Sequence, residues 1–230
     1  MPGIAATSLG LSKLDNVPHR TSQRYFGRPW QVELARLQSV RQGKGMDRAY
    51  LSLTATDVDH SSDSELYGQL AKKLPFAVEL AQRLAWEYQI SHLRVLAREL
   101  PDAHFLLEFL IPRMGRRADL IVIAAGIVFV VEYKIGAKHF DRIALDQVYG
   151  YGLDLKHFHE TSHARRIVPM LVATEAQGAT LPTLLWDEDA LAKPIGVSTN
   201  ALVSAIKHIA SEFVGPPLDA NAWAAGRYRP

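Results

Sequence analysis

The chain has 230 residues, 48% hydrophobic and 22% charged, which is ordinary globular composition with room for one sizeable core and an extension. The absence of cysteine excludes disulfides and thiolate metal sites, and a formal net charge of +2 excludes a protein that is basic all over. The longest apolar run, Ile121 to Val131, is too short to span a bilayer, and the opening stretch to Asn16 has no basic segment followed by an apolar one, so a cytoplasmic protein with no membrane segment is expected.

Residues 1–45 mix Gly, Pro, Ser and Arg without sustained periodicity, apart from a short helical pattern over Trp30 to Val40. They read as a flexible or accessory arm, and residues 46–230 as the main domain. Ala49 to Thr54 has the composition of a short strand, and Ser61 or Ser62 is placed to cap a helix running through Leu70. Pro75 to Leu100 predicts a long helix, with Pro75 near its first turn and Leu80, Leu84, Ile90, Leu93 and Leu96 at helical spacings. Three β-rich runs follow, over 104–112, 118–125 and 127–135, and predict an antiparallel meander. Phe140 to Phe158 predicts a second amphipathic helix, Ile167 to Ala173 a buried strand, and the region of Ile195 a further strand. A last helix from Thr199 to Val214 is stopped by Gly215, Pro216 and Pro217. The fold class is α/β: a mixed central sheet, begun by the meander, with helices on its faces.

A two-residue turn at Ala125 and Gly126 pairs Ala124 with Ile127, and that register brings Asp119 opposite Glu132. Period-two alternation puts Glu132 and Lys134 on one face of their strand. Two carboxylates facing each other across a hairpin repel unless a cation or a shared proton lies between them, and a hard divalent ion with oxygen ligands answers that need. On spacing alone, an ordinary ion pair at the strand ends fits equally well.

Resemblance to a known family breaks the tie. Asp119, twelve intervening positions, then Glu132, Tyr133 and Lys134 resemble the D-(x)n-E-x-K signature of the PD-(D/E)XK nucleases, and Gln147 with Tyr151 resembles the Q-x-x-x-Y motif of their RecB-like branch. Four-residue spacing puts Gln147 and Tyr151 on one helix face. The stretch from Glu108 to Thr174 is similar to the N-terminal nuclease domain of bacterial proteins that couple such a module to a Schlafen-like superfamily 1 helicase motor. That likeness extends over roughly Met46 to Pro230 and leaves the arm before it unmatched. The resemblance implies a restriction-endonuclease-like core and cleavage of nucleic acid, DNA favoured, with Mg²⁺ or Mn²⁺ as cofactor. It also implies a helicase partner in cis or in trans, a domain excised from a longer chain, and the setting of DNA repair or antiphage defence. Within it, Asp119 and Glu132 hold the metal, Lys134 orients water or stabilises developing charge, and Gln147 and Tyr151 position the phosphate or the lysine. A further carboxylate is expected from Glu108, Glu87 or Glu79.

Basic residues crowd the middle third of the chain. Arg113, Arg116 and Arg117 lie just before Asp119 and, with Lys138 and Lys156, are read as phosphate contacts or as solvated charges. His157, His159 and His163 lack a partner that would complete a zinc tetrahedron. No G-x-x-x-x-G-K-[ST] loop, glycine-rich dinucleotide fingerprint or G-x-S-x-G elbow is present. The rival reading is a catalytically silent module that binds nucleic acid or docks a helicase. Trp86, Leu93 and Leu96 are assigned to the core, whereas Trp223 and Tyr228 contact either an absent domain or this one.

Overall fold

A computed structural model describes residues 48–74, 77–177 and 183–229. Six strands form one mixed sheet in sequence order: β1 (Leu51–Thr54), β2 (His104–Ile111), β3 (Arg116–Ala124), β4 (Ile127–Lys134), β5 (Ile167–Ala173) and β6 (Ile195–Ser198). The first four are antiparallel neighbours, and β5 and β6 run parallel to β4. The expected α/β class with a mixed, helix-flanked sheet is therefore present.

Local chemistry places the helices. Thr54 and Asp57 form a capping box at α1 (Ala55–His60), and Ser62 and Glu65 form another at α2 (Asp63–Lys72), so Ser62 is the cap. The long helix α3 spans Leu80–Glu99 and stops at Leu100, before Pro101. Pro75 and the helical pattern at Trp30 to Val40 lie outside the described residues. Asp141 accepts a hydrogen bond from the Ile143 N–H, 2.7 Å, and so opens α4 (Arg142–Phe158), which connects β4 to β5. Two further helices, α5 (Thr199–Glu212) and α6 (Ala220–Ala224), complete the domain.

The sheet separates two cores. Helices α1, α2, α3 and α5 cover one face with Val58, Leu66, Leu70, Trp86, Leu93, Leu202 and Ile206, packed on Phe105, Leu107, Phe129 and Val131. Helices α4 and α6 cover the other with Val148, Tyr151, Leu155 and Trp223, packed on Leu106, Phe109, Ile121 and Val130. Two of the leucines at helical spacing in α3 behave otherwise. Leu80 and Leu84 point to solvent, and the core stripe is carried instead by Trp86, Gln89, Ile90, Leu93 and Leu96. Trp223 docks on this domain, its ring stacked on Phe109 at 5.0 Å between centroids.

The β3–β4 turn has Ala125 at φ 50° and Gly126 at φ 75°, the two positive values that a two-residue turn matched to strand twist requires. The ladder follows as expected, with Ala124 opposite Ile127 and Leu120 opposite Val131. A Cβ on Gly126 would come within 2.3 Å of the Pro216 carbonyl oxygen, whereas one on Gly136, also at positive φ (76°), would meet nothing nearer than 3.8 Å. Gly126→Ala is therefore expected to cost about 2–3 kcal/mol and Gly136→Ala about 1 kcal/mol, read as the difference in urea unfolding midpoint.

A second departure lies in β2. Glu108 has φ 54° in mid-strand, and the Glu108–Asp119 position is skipped in the β2–β3 ladder, which resumes at Phe109 opposite Ala118. The facing of both strands slips there. Leu107 packs with the α3 core and so does Leu120, but Phe109 and Ala118 pack with the α4 core. A left-handed glutamate costs about 1–2 kcal/mol, and it is held by its surroundings. The Trp86 Nε1–H donates to Glu108 Oε1 at 2.8 Å, and Arg117 donates to the Glu108 carbonyl. The strand slip falls beside Asp119, where β3 and β4 meet their acids.

Candidate active site

Asp119 sits one residue beyond the last β3–β4 pair, Leu120 with Val131. Its carboxylate bends into the ladder, and Oδ2 accepts the Tyr133 backbone N–H at 2.8 Å. This bond ties Asp119 to the main chain between Glu132 and Lys134. Glu132 and Lys134 fall on the α4 face by alternation, while Val131 and Tyr133 fall on the other. Asp119 is 8% exposed and Glu132 6%, so both carboxylates are nearly withdrawn from water.

Helix α4 supplies the other wall. Gln147 donates from Nε2 to Glu132 Oε1 and to the Tyr151 hydroxyl, each at 2.7 Å, and accepts from Lys134 Nζ at 3.3 Å. Lys134 Nζ also donates to Glu132 Oε1 at 3.0 Å. Glu132, Lys134, Gln147 and Tyr151 thus form one connected network, and its lysine side chain stays 33% exposed at the mouth. Burial, then the negative charges of Glu132 and Asp119, hold the Tyr151 phenol well above the ordinary tyrosine range, so it stays a neutral hydroxyl. Both carboxylates lie within Coulombic reach of that one hydroxyl, and so does the exposed Arg116.

The remaining expected site residues separate. The Glu108 carboxylate, 1% exposed, is hydrogen-bonded to the Trp86 indole of α3 and to Gln82 Nε2 at 3.4 Å. Glu87 makes an exposed pair with Arg83, 2.8 Å, one turn away on the same helix. Among the described residues no group of three or more His, Cys, Asp and Glu side chains converges as a metal cage, so Glu108, Glu87 and Glu79 do not join Asp119 and Glu132 in this arrangement. The geometry gathers two carboxylates.

The basic residues divide in the same way. Arg117 turns inward, donating to the Arg48 carbonyl at 2.9 Å and lying over the Tyr50 ring, 4.1 Å from its centroid. Lys156 is buried, with Nζ donating to the Arg165 carbonyl at 2.7 Å, and burial lowers its pKa. Both are corrections to a reading as phosphate contacts, because a guanidinium or ammonium committed to main-chain carbonyls inside the fold presents no charge to a ligand. Arg113 is exposed but lies over Phe158, 3.5 Å from the ring centroid, at the far end of α4. Lys138 is exposed and makes a long pair with Glu175, 3.9 Å. Arg116 is the one of the three whose charge is felt at the Tyr151 hydroxyl.

Two participants carry no motif. Tyr133, the residue inside E-x-K, sends its side chain through to the α3 face, where its hydroxyl meets His92 Nδ1 at 2.8 Å. Gln89 and His92 are polar side chains on the buried stripe of α3, and that placement was the available signal that a polar partner waits beneath the helix.

Comparison with models of known families, with curated proteins and with solved structures finds no match for this chain. Among the described residues no helix is long and apolar enough to cross a membrane.

Proposed function

We propose that this chain is a divalent-metal-dependent nuclease with a restriction-endonuclease-like core, hydrolysing phosphodiester bonds of nucleic acid, with DNA the favoured substrate. The observation that carries the reading is the buried Asp119–Glu132 pair with Lys134 Nζ 3.0 Å from Glu132 and Gln147 bridging the same carboxylate to Tyr151. A fold with no chemistry to perform gains little by burying two carboxylates at the end of the β3–β4 ladder, since ion pairing in the interior seldom repays the desolvation of the charges.

The donor set fits the implied metal. Asp119 and Glu132 offer carboxylate oxygens, no imidazole or thiolate stands among them, and hard oxygen donors select Mg²⁺ or Mn²⁺ over zinc. When bound, such an ion polarises the phosphoryl oxygen and acidifies a coordinated water. The protein's own share is positional. Asp119 is fixed by the Tyr133 N–H and Glu132 by Gln147 and Lys134, so both carboxylates are oriented before any ligand arrives. Lys134, a third exposed, is placed to donate to an oxygen that gains negative charge. Tyr151 buttresses Gln147 as a neutral hydroxyl, and Arg116 at the rim pairs with a backbone phosphate. The family resemblance adds a superfamily 1 helicase motor, in cis or in trans, as the proposed partner.

The test is cleavage of labelled single-stranded DNA, double-stranded DNA and RNA with Mg²⁺, Mn²⁺ or EDTA, comparing the wild type with Asp119→Ala and Lys134→Ala. Cutting that needs metal and that both substitutions abolish is the expected result. Binding without cutting under every condition, with the motor also supplied, would sink the nuclease reading.

A further inference from the structure

Tyr133 occupies the variable position of the E-x-K segment, and it has two attachments on opposite faces of the sheet. Its main-chain N–H donates to Asp119 Oδ2 at 2.8 Å on the acid side. Its phenol crosses to the α3 side, where the hydroxyl lies 2.8 Å from His92 Nδ1 and the two rings meet edge to face at 5.7 Å between centroids. The Thr199 main chain, at the start of α5, lies close enough to the His92 ring to favour its charged form, against the larger effect of burial. A neutral His92 ring can accept the Tyr133 hydroxyl proton at Nδ1. Tyr88 closes the arrangement from α3, its hydroxyl 2.6 Å from Thr199 Oγ1. Three elements, α3, α5 and β4, are thereby joined at one buried tyrosine.

We infer that His92 and Tyr133 are positioning residues for the acid pair: the contact of His92 with the Tyr133 hydroxyl sets where the Tyr133 N–H sits, and with it the Asp119 carboxylate. The physical ground is the direction of the bonds. Asp119 lies past the end of the β3–β4 ladder and beside the β2 slip at Glu108, so the main-chain pairing that would hold β3 is interrupted there on both sides. The Tyr133 N–H is a contact that fixes Asp119 to the neighbouring strand, and a rotation of the peptide at 133 moves the bond from which Asp119 hangs. A tyrosine anchored at its far end to a helix resists that rotation more than one packed by dispersion alone. Burial favours neutral His92, the form able to accept at Nδ1, and holds its pKa down to about 4.

The inference rests on the nuclease reading for its meaning, but its test does not depend on turnover. The measurements are amide hydrogen exchange along β4 and Mn²⁺ affinity by titration calorimetry, on the full chain and on Tyr133→Phe, His92→Leu and His92→Asn. Tyr133→Phe keeps the ring and removes only the hydroxyl. His92→Asn keeps an acceptor near the place of Nδ1. The expected result is exchange at the residue 133 amide about tenfold faster in Tyr133→Phe and His92→Leu, with Val130 and Val131 unchanged, and Mn²⁺ bound about tenfold more weakly. His92→Asn is expected to bring both values back to within about threefold of the wild type. Unchanged exchange at 133, or an acceleration shared equally by all of β4, would overturn the positioning role and reduce the contact to general packing. A wild type that bound no Mn²⁺ would count against the metal reading alone, while exchange at 133 would still decide for or against the lock.

Discussion

Asp119→Asn is expected to lower metal-dependent cleavage by about 10³-fold or more while leaving the unfolding midpoint unchanged or slightly raised. Asparagine keeps an oxygen where Asp119 Oδ2 accepts the Tyr133 N–H, so the bond that joins β3 to β4 at this point survives. What disappears is one negative charge from a pair of carboxylates that are both nearly buried, and its removal relieves repulsion in the folded state. Activity and stability should therefore move in different directions. Lys134→Met makes the opposite trade. It removes the ammonium 3.0 Å from Glu132, so activity and midpoint should fall together. Cleavage assays and urea unfolding on the two variants read both quantities, and a parallel loss of activity and stability in Asp119→Asn would assign Asp119 a structural role.

That experiment concerns the part of the site that was legible in the sequence, and the reason is local. The β3–β4 register depends on a two-residue turn in which Ala125 and Gly126 take positive φ, and once that turn is placed, alternation puts Glu132 and Lys134 on one face. Ile167 to Ala173 formed a strand with those bounds because an unbroken apolar run of that length reads as a doubly covered strand. The i,i+4 spacing of Gln147 and Tyr151 needed only that α4 be a helix. What escaped depends on tertiary contact. Nothing local marks Glu108 as left-handed, because its conformation is imposed by the Trp86 indole and the Arg117 guanidinium from other elements. The same holds for Arg117 and Lys156, whose charges look outward in sequence and are spent on carbonyls inside. Leu80 and Leu84 fit the helical period of α3, but the helix turns them to solvent and buries Trp86, Gln89 and Ile90 instead. Helix α1, with six residues, is shorter than a periodic pattern needs to declare itself.

The second large effect is acid instability well above the carboxylate range. His159 is fully buried on the α4 side, between Phe109, Trp223 and Tyr228, with ring centroids 6.2, 4.9 and 5.1 Å away. The Trp223 Nε1–H donates to Ser162 Oγ at 2.9 Å, and Ser162 Oγ lies 2.7 Å from His159 Nδ1, within hydrogen-bond reach of the ring. Burial, then the nearby charges of Arg48 and His163, push the His159 pKa down to about 3, and burial pushes His92 down to about 4 on the other face. Both folded values lie below the unfolded value near 6.5, so their contribution to stability is complete above about pH 6.5 and is lost as pH falls toward the folded values. Each histidine removes about 1.4 kcal/mol per pH unit in that window, so the pair removes about 4–5 kcal/mol between pH 7 and pH 4.5, close to the whole stability of many domains. Urea midpoints measured from pH 8 to pH 4.5 should fall steeply in the wild type. His159→Asn should be less stable at pH 8 and shallower below pH 6.5, since the proton it no longer binds on unfolding is the one that sets half the slope. Parallel pH curves for the two proteins would show that His159 keeps an ordinary pKa, and that the packing of Trp223 and Tyr228 around it does not depend on a neutral ring.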